Sequence, residues 1–505
     1  MKRTVWLPSL IASLLLCAFS LAASPRKAPA SQVITVNVQA QPQPFPHFWE
    51  KMFGSGRAIL SLRAGYRRDL RSVKGITNFQ YVRFHDILDD DVGVYGEDKN
   101  GNPVYNFSYV DQIYDGLLAN GIRPFVELSF MPSKLAASPI VHQAFWYHPI
   151  VSPPTNWDSW GDLVYQFTKH LVDRYGINEV SHWYFEVWNE PNIDFWAGDP
   201  KQQTYFKLYD HAARAIKRVS PRLRVGGPAT AQAAWVGSFI RHNVKNNVPM
   251  DFVSTHVYGN DTAKNVFGTD EIIPRNEMVC RAAKKVHDEV KASARPDLPV
   301  IFSEYNASYM NEPDVTDTIF MGPWLADTVR QCDGLVHILS YWTFSDVFDE
   351  QGVIKKPFYG GFGLVAEGGV PKPSFNAFRL LHLLGRERLP VDSNSALATR
   401  RKDGSLAIAV WNYSAPKELG VAKQVTLRLD GFRGKHQVTL YRLDGTHGNV
   451  LPAYAAMGSP ADPTQKQYQA LRKAGELSPP KVFELKGDKI AITLAPKALD
   501  FVEIR

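Results

Sequence analysis

The sequence predicts an α/β protein: a (β/α)8 barrel with an accessory antiparallel β-sandwich domain. Three observations carry this reading. Short aromatic and β-branched runs alternate with helical segments over roughly 300 residues. Most of these runs end in polar or charged residues, as strands do at the catalytic rim of a barrel. After Leu384 the helical period fades and alternating apolar and polar runs take over. No Gly-x-Gly-x-x-Gly turn follows an early strand, so an open doubly wound sheet is the weaker alternative.

The chain has 505 residues, 45% hydrophobic, 12% aromatic and 21% charged, a globular composition long enough for more than one domain. We divide it into a signal peptide at 1–23, a barrel at 45–385, and a β-sandwich built from 32–44 and 386–505. Lys2 and Arg3 precede the apolar run Leu10 to Phe19, and small residues follow at Ser20, Ala22 and Ala23. This pattern predicts cleavage near Ala22 or Ala23 and an exported protein, periplasmic or secreted, with no membrane attachment afterwards. The net charge of +7 is spread thinly, without the basic patch that nucleic-acid binding requires. Cys280 and Cys332 remain after cleavage, and their sequence positions leave a disulfide and two buried thiols both open. Neither a Cys cluster nor a close His pair suggests a metal site, and no cofactor is expected.

Taken in order, Val33 to Val38 alternates and reads as a lone strand that needs a partner sheet elsewhere. Barrel strands are expected near Met52 to Gly56, then at Tyr81 to His85, Pro124 to Leu128 and Trp183 to Asn192. Four more follow at Leu223 to Gly227, Phe252 to His256, Val300 to Glu304 and His337 to Trp342. Between them, helical periodicity covers Tyr109 to Asn120, Trp160 to Tyr175, Tyr205 to Val219, Phe239 to Asn246, Asn276 to Ala294 and Thr316 to Cys332. Gly121 and Gly176 suit the ends of the first two. The fourth strand stops where Pro191 can no longer donate to a ladder. Sandwich strands are expected at Leu406 to Trp411, Gln424 to Leu429, His436 to Tyr441, Ile490 to Leu494 and Leu499 to Ile504. Pro452 to Pro480 reads as a partly helical insertion.

Sorting polar residues by strand end gathers Arg83 and His85, Asn189 and Glu190, His256 and Tyr258, Glu304, and Trp342. A carboxylate at the end of an apolar strand is costly unless the rim is wet or functional. Two carboxyls on one rim suit glycoside hydrolysis, where one protonates the leaving oxygen and the other attacks the anomeric carbon.

The motifs Trp188-Asn-Glu-Pro191 and Ser303-Glu-Tyr-Asn306 resemble those of glycoside hydrolase family 39, best known for β-xylosidases. Tyr81-Val-Arg-Phe-His85 with Asp89 to Tyr95, Phe252 to Tyr258, Ser340 to Phe348, Pro357 to Leu364 and Pro371-Lys-Pro373 also fit, so the likeness spans the barrel. It implies a retaining exo-glycosidase acting on an oligosaccharide, with Glu190 as acid/base and Glu304 as nucleophile. It further implies substrate contacts from Arg83, His85, Asn189, His256, Tyr258 and Trp342, and from the acidic pair Asp349 and Glu350. Tyr258 or Tyr305 would orient a carboxylate, and Arg83 would lower the pKa of Glu304 or serve a structural ion pair. Glu186 reads as a structural carboxylate, and Asp89 to Asp91 as a solvated loop rather than a calcium cluster. The expected activity is β-xylosidase on xylo-oligosaccharides. Rivals are an α-L-iduronidase, an arabinosidase, an exopolysaccharide glycosidase, and a noncatalytic carbohydrate-binding protein.

Overall fold

The computed structural model describes residues 30–505, so the segment read as a signal peptide lies outside the described residues. Eight parallel strands close a barrel in sequential order: β1 (Met52–Gly54), β2 (Tyr81–Phe84), β3 (Arg123–Leu128), β4 (Tyr184–Val187), β5 (Arg224–Thr230), β6 (Phe252–Tyr258), β7 (Val300–Asn306) and β8 (Ile338–Tyr341). Eight principal helices surround them: α1 (Ala64–Lys74), α2 (Ser108–Leu118), α3 (Trp157–Tyr175), α4 (Lys201–Val219), α5 (Val236–Lys245), α6 (Arg275–Lys291), α7 (Met321–Cys332) and α8 (Pro373–His382). Asn156 caps α3 by accepting from the backbone N–H groups of Asp158 and Ser159, and Gly176 ends it with a φ of 79°. No helix among the described residues is long and apolar enough to cross a membrane.

The barrel interior is layered by the two-residue period of its strands. Met52, Tyr81, Phe125, Tyr184, Phe252, Ile301 and Ile338 pack together as an apolar plug. Two residues further along, the same strands offer Gly54, Arg83, Glu127, Glu186, Ser254, Ser303 and Ser340. This second layer is buried yet polar, and the catalytic rim lies above it.

Strand four is shorter than its sequence suggests. It ends at Val187, and Trp188 and Glu190 take left-handed backbone conformations with φ of 74° and 44°. Such residues leave the ladder, and the Glu190 N–H donates instead to the Ala229 carbonyl at 2.8 Å. A buried anchor holds the bend: the Trp188 indole donates to the Phe195 carbonyl at 2.7 Å and packs on Phe130 and Trp196.

The sandwich has a seven-stranded sheet in the order Gln43–Pro44, Glu387–Leu389, Ala396–Arg400, Leu406–Trp411, Leu499–Ile504, Lys435–Leu443, Lys481–Lys486, antiparallel throughout. A three-stranded sheet faces it, and there one expectation changes. Ala30–Asn37 pairs with Lys423–Asp430 in parallel, while Lys489–Leu494 pairs with the latter antiparallel. The whole barrel intervenes between the two parallel strands, so no hairpin dictates their direction. Ile34, Ile408, Val425, Val438 and Ile490 fill the space between the sheets. The other face of the larger sheet sends Ala407, Trp411, Leu443 and Phe501 into the same core as the barrel helices. That double burial explains the unbroken apolar run Leu406 to Trp411.

The insertion forms two helices, Leu451–Ala456 and Gln465–Ala474, the second opened by a capping box of Thr464 and Gln467. They pack through Tyr454 and Leu471 on Phe358, Ala366 and Val370 of the segment after β8. Cys280 on α6 and Cys332 at the end of α7 form a disulfide. Lys372, from the Pro371-Lys-Pro373 motif, is fully buried, with Nζ 2.7 Å from both Asp317 and Asp346 and donating to the Gly361 carbonyl at 2.9 Å. Removing one partner of a buried ion network strands the other charges. Lys372→Met should therefore cost roughly 3–5 kcal/mol in chemical denaturation, and a loss below about 1 kcal/mol would show that the two aspartates are neutralised otherwise.

Candidate active site

The rim is organised by Arg83, which rises from β2 into the polar layer and is completely buried. Its Nε donates to Glu186 at 2.6 Å, Nη1 to Glu304 at 2.7 Å, and Nη2 reaches Glu127 at 2.7 Å and Asn189 Oδ1 at 3.0 Å. One guanidinium thus ties β2 to β3, β4 and β7. Only a planar fork with five donors fits so many acceptors.

Glu304 receives two strong hydrogen bonds, from Arg83 on Oε1 and from the Tyr258 hydroxyl on Oε2 at 2.6 Å. Burial, then the charge of Glu304, pushes the Tyr258 phenol well above its usual range, so Tyr258 remains a donor. A register irregularity between β6 and β7 places Glu304 here. Thr255 pairs with Phe302 but His256 pairs with Glu304, leaving Ser303 as an extra residue. Such a bulge re-aims side chains next to a site. Ser303 and Glu304, although consecutive, consequently join one buried network.

Glu190 stands opposite, with Oε1 3.0 Å from His256 Nδ1. One oxygen of Glu190, one of Glu304 and a His256 ring nitrogen all lie within 4.8 Å of one another. The two carboxyls differ in environment. Burial raises both, but the next largest influence on Glu190 is the Glu304 charge, which raises it further, whereas for Glu304 it is Arg83, which opposes the rise. The proton of the pair therefore resides on Glu190. Arg83 does lower the pKa of Glu304, as expected, although burial outweighs it.

A cavity of about 440 Å³ opens above this pair. His85, Asn189, Glu190, Tyr258, Glu304, Trp342 and Glu350 line it, together with His142, Phe145, Phe195, Gln232, Asp261, Tyr309 and Gln351. His85 is held by Glu127 through Nδ1 at 2.8 Å, leaving Nε2 toward the cavity, 3.6 Å from Glu350. Trp342 lies 4.9 Å from the His85 ring and beneath it Arg83 sits 5.8 Å from the indole. Burial, then the Glu304 charge, raises Glu350 well above the carboxylate range.

Three expected sugar contacts are corrected. Arg83 and His256 are both fully buried beneath the cavity and committed to protein partners. Asp349 turns into a neighbouring groove, 3.4 Å from Arg57 and 3.9 Å from Arg63. Tyr305 orients neither carboxyl. It points outward between the barrel and α7, stacked on Trp324, as the residue after an inward Glu304 must. Glu186 is the structural carboxylate expected, and Asp91 is tied to Arg57 while Asp90 accepts from the Ser133 N–H.

The fold matches known proteins. The profile described as Glycosyl hydrolases family 39 matches residues 32–488. This chain belongs to family 39 of the glycosyl hydrolases. A beta-xylosidase of Geobacillus stearothermophilus is 38% identical over 441 residues, covering 85% of this chain and 86% of that one. Another from Caldicellulosiruptor saccharolyticus is 36% identical over 461 residues, covering 89% and 92%. The crystal structure of a monomeric beta-xylosidase from Caulobacter crescentus superposes with a TM-score of 0.85 at 33% identity, covering 94% of this chain and 99% of that one.

The family 39 site also depends on residues that strand-end reasoning missed. Asp261, whose carboxyl burial raises to about 6, lines the cavity three residues past Tyr258 and accepts the Tyr258 N–H at 2.8 Å. Phe145 and His142 come from the long segment after β3, which carries no periodic signal. Gly54 ends β1 directly under Trp342: a Cβ there would fall 2.1 Å from the indole Cε3. Gly54→Ala should therefore displace the Trp342 floor and lower kcat/KM by roughly tenfold or more, the scale of 1–3 kcal/mol of overpacking. Steady-state kinetics on an aryl glycoside would check this, and unchanged kinetics would mean that Trp342 is not a fixed wall.

Proposed function

We propose that this family 39 glycosidase is a retaining β-xylosidase, releasing xylose from the end of xylo-oligosaccharides by double displacement. The observation that carries the mechanism is the approach of Glu190 and Glu304 to within 4.8 Å. Retaining pairs stand about 5–5.5 Å apart, whereas inverting pairs need roughly 6.5–9.5 Å to admit water. Glu304, ionised between Arg83 and Tyr258, attacks the anomeric carbon, while Glu190 delivers its proton to the leaving oxygen. Glu190, now a carboxylate, then takes a proton from the water that breaks the glycosyl–Glu304 ester. Asn189, its Oδ1 already held by Arg83, directs its amide N–H group at the hydroxyl beside the reacting carbon.

Two features support xylose as the sugar. The relatives that align over most of the chain are named beta-xylosidases. The cavity lining contains Glu190, Glu304, Glu350 and Asp261 and no Lys or Arg. A uronate carboxylate would find no cation there and would meet the ionised Glu304, which disfavours an iduronidase. Export belongs to the same proposal, supported by the Cys280–Cys332 disulfide, since such bonds persist in oxidising compartments.

An aryl-glycoside panel tests the substrate: the β-xyloside should be cleaved with the highest kcat/KM, and an iduronide turned over faster would overturn the choice of sugar. Glu304→Ala should lose roughly 10⁴-fold or more in kcat. Glu190→Ala should keep activity on activated leaving groups and gain rate with azide. Proton NMR of the first product formed should show β-xylose; α-xylose appearing first would exclude double displacement.

A further inference from the structure

We propose that Ser303 and Glu186 are positioning residues that fix the tautomer of His256 and thereby keep the catalytic proton on Glu190. The inference rests on Glu190 being the acid/base. It follows from counting donors along one buried chain. Glu186, ion-paired through Oε2 to Arg83, accepts the Ser303 hydroxyl on Oε1 at 2.6 Å. A hydroxyl has one proton to give, so Ser303 can only accept from its other neighbour, His256 Nε2 at 3.1 Å. His256 must therefore carry its proton on Nε2. Burial, then the charge of Arg83, keeps the ring neutral, so Nδ1 presents a bare lone pair. That lone pair faces Glu190 Oε1 at 3.0 Å. A carboxylic acid can donate to it, whereas a carboxylate would meet it lone pair to lone pair.

The consequence is chemical. A hydrogen bond available only to the neutral form favours that form. In the first half-reaction the proton passes from Glu190 to the glycosidic oxygen as the sugar bonds to Glu304. The Glu190 carboxylate left behind faces no N–H from His256, so it stays basic enough to take a proton from water in the second. The opposite tautomer, with Nδ1–H toward Glu190, would stabilise the carboxylate and weaken both roles. The titratable and charged groups facing Glu190 are Glu304 on β7, Asp261 after β6, Arg83 on β2, Glu127 on β3 and Glu350 after β8. Those facing His256 are Arg83 on β2 and His85 just after it, with Glu304 3.6 Å from Nδ1. None of them dictates which ring nitrogen is protonated. Only Ser303 touches Nε2 by a hydrogen bond. The β7 bulge is what allows this, since it puts Ser303 and Glu304 in one network.

Ser303→Ala removes the acceptor on Nε2 and frees His256 to turn its proton toward Glu190. The alkaline limb of the pH profile of kcat/KM should then move to lower pH by about one unit, the effect of a new hydrogen bond to a carboxylate. The acid limb, which follows Glu304, should stay in place, and Ser303→Thr, which restores a hydroxyl, should return the alkaline limb. Imidazole nitrogen NMR should report protonated Nε2 in the parent and a change toward Nδ1–H in Ser303→Ala. Glu190→Gln, run in parallel on a substrate with an activated leaving group, separates the two claims. If its profile keeps the alkaline limb, the acid/base reading of Glu190 is wrong. If that limb disappears in Glu190→Gln yet stays unmoved in Ser303→Ala, the tautomer inference is overturned.

Discussion

The site depends on one buried cation. Arg83 has no contact with solvent, yet it bonds Glu127, Glu186, Glu304 and Asn189. Burying a charge is expensive, and it is tolerated here because every direction of the guanidinium meets an acceptor. The same interaction sets three functional properties. It holds Glu304 at a fixed distance from Glu190, it opposes the protonation of Glu304, and it fixes the orientation of the Asn189 amide. A lysine could satisfy the charge but not the planar geometry.

From that centre, polarity is arranged by height in the barrel. The apolar plug below excludes water from the polar layer, which strengthens every ion pair within it. Above, the two carboxyls share a medium in which both cannot ionise, and Arg83 decides which one does. Tyr258 and His256, neighbours on the rim end of β6, complete the division of labour. Tyr258 gives Glu304 a proton to lean on, and His256 gives Glu190 an acceptor. The strained turn at Trp188 and Glu190 is the backbone counterpart, locked by the packing of Trp188 on Phe130 and Trp196.

The accessory sheets and the insertion bear on the site indirectly. The larger sheet shares its core with the barrel helices, and the insertion helices pack on the segment after β8 that carries Glu350. Lys372 ties that same segment to Asp317, which precedes α7. The loop bearing a cavity-lining carboxyl is thus fixed from two sides, which matters where a misplacement of an ångström costs rate.

Much of this was legible in the linear sequence. Period-two runs ending in Arg83, Glu190, His256 and Glu304 announced a barrel and its rim, because a strand exposes its polar residues only where the core ends. The chemistry proposed for Glu190 and Glu304 followed from residue type and motif. Other features needed the tertiary structure. Periodicity cannot register the bulge that turns both Ser303 and Glu304 inward, nor the left-handed turn that ends β4 before Glu190. Nor could it separate Arg83 and His256, sealed beneath the cavity, from His85 and Trp342, which line it, since all four are polar or aromatic residues at strand ends. Asp349 and Glu350 were indistinguishable until the loop's twist sent one to Arg57 and the other to the cavity. Sequence determined which groups reach the rim, because that depends on local alternation. Which carboxyl keeps the proton was decided only by the closed barrel, because it depends on distances between strands far apart in the chain.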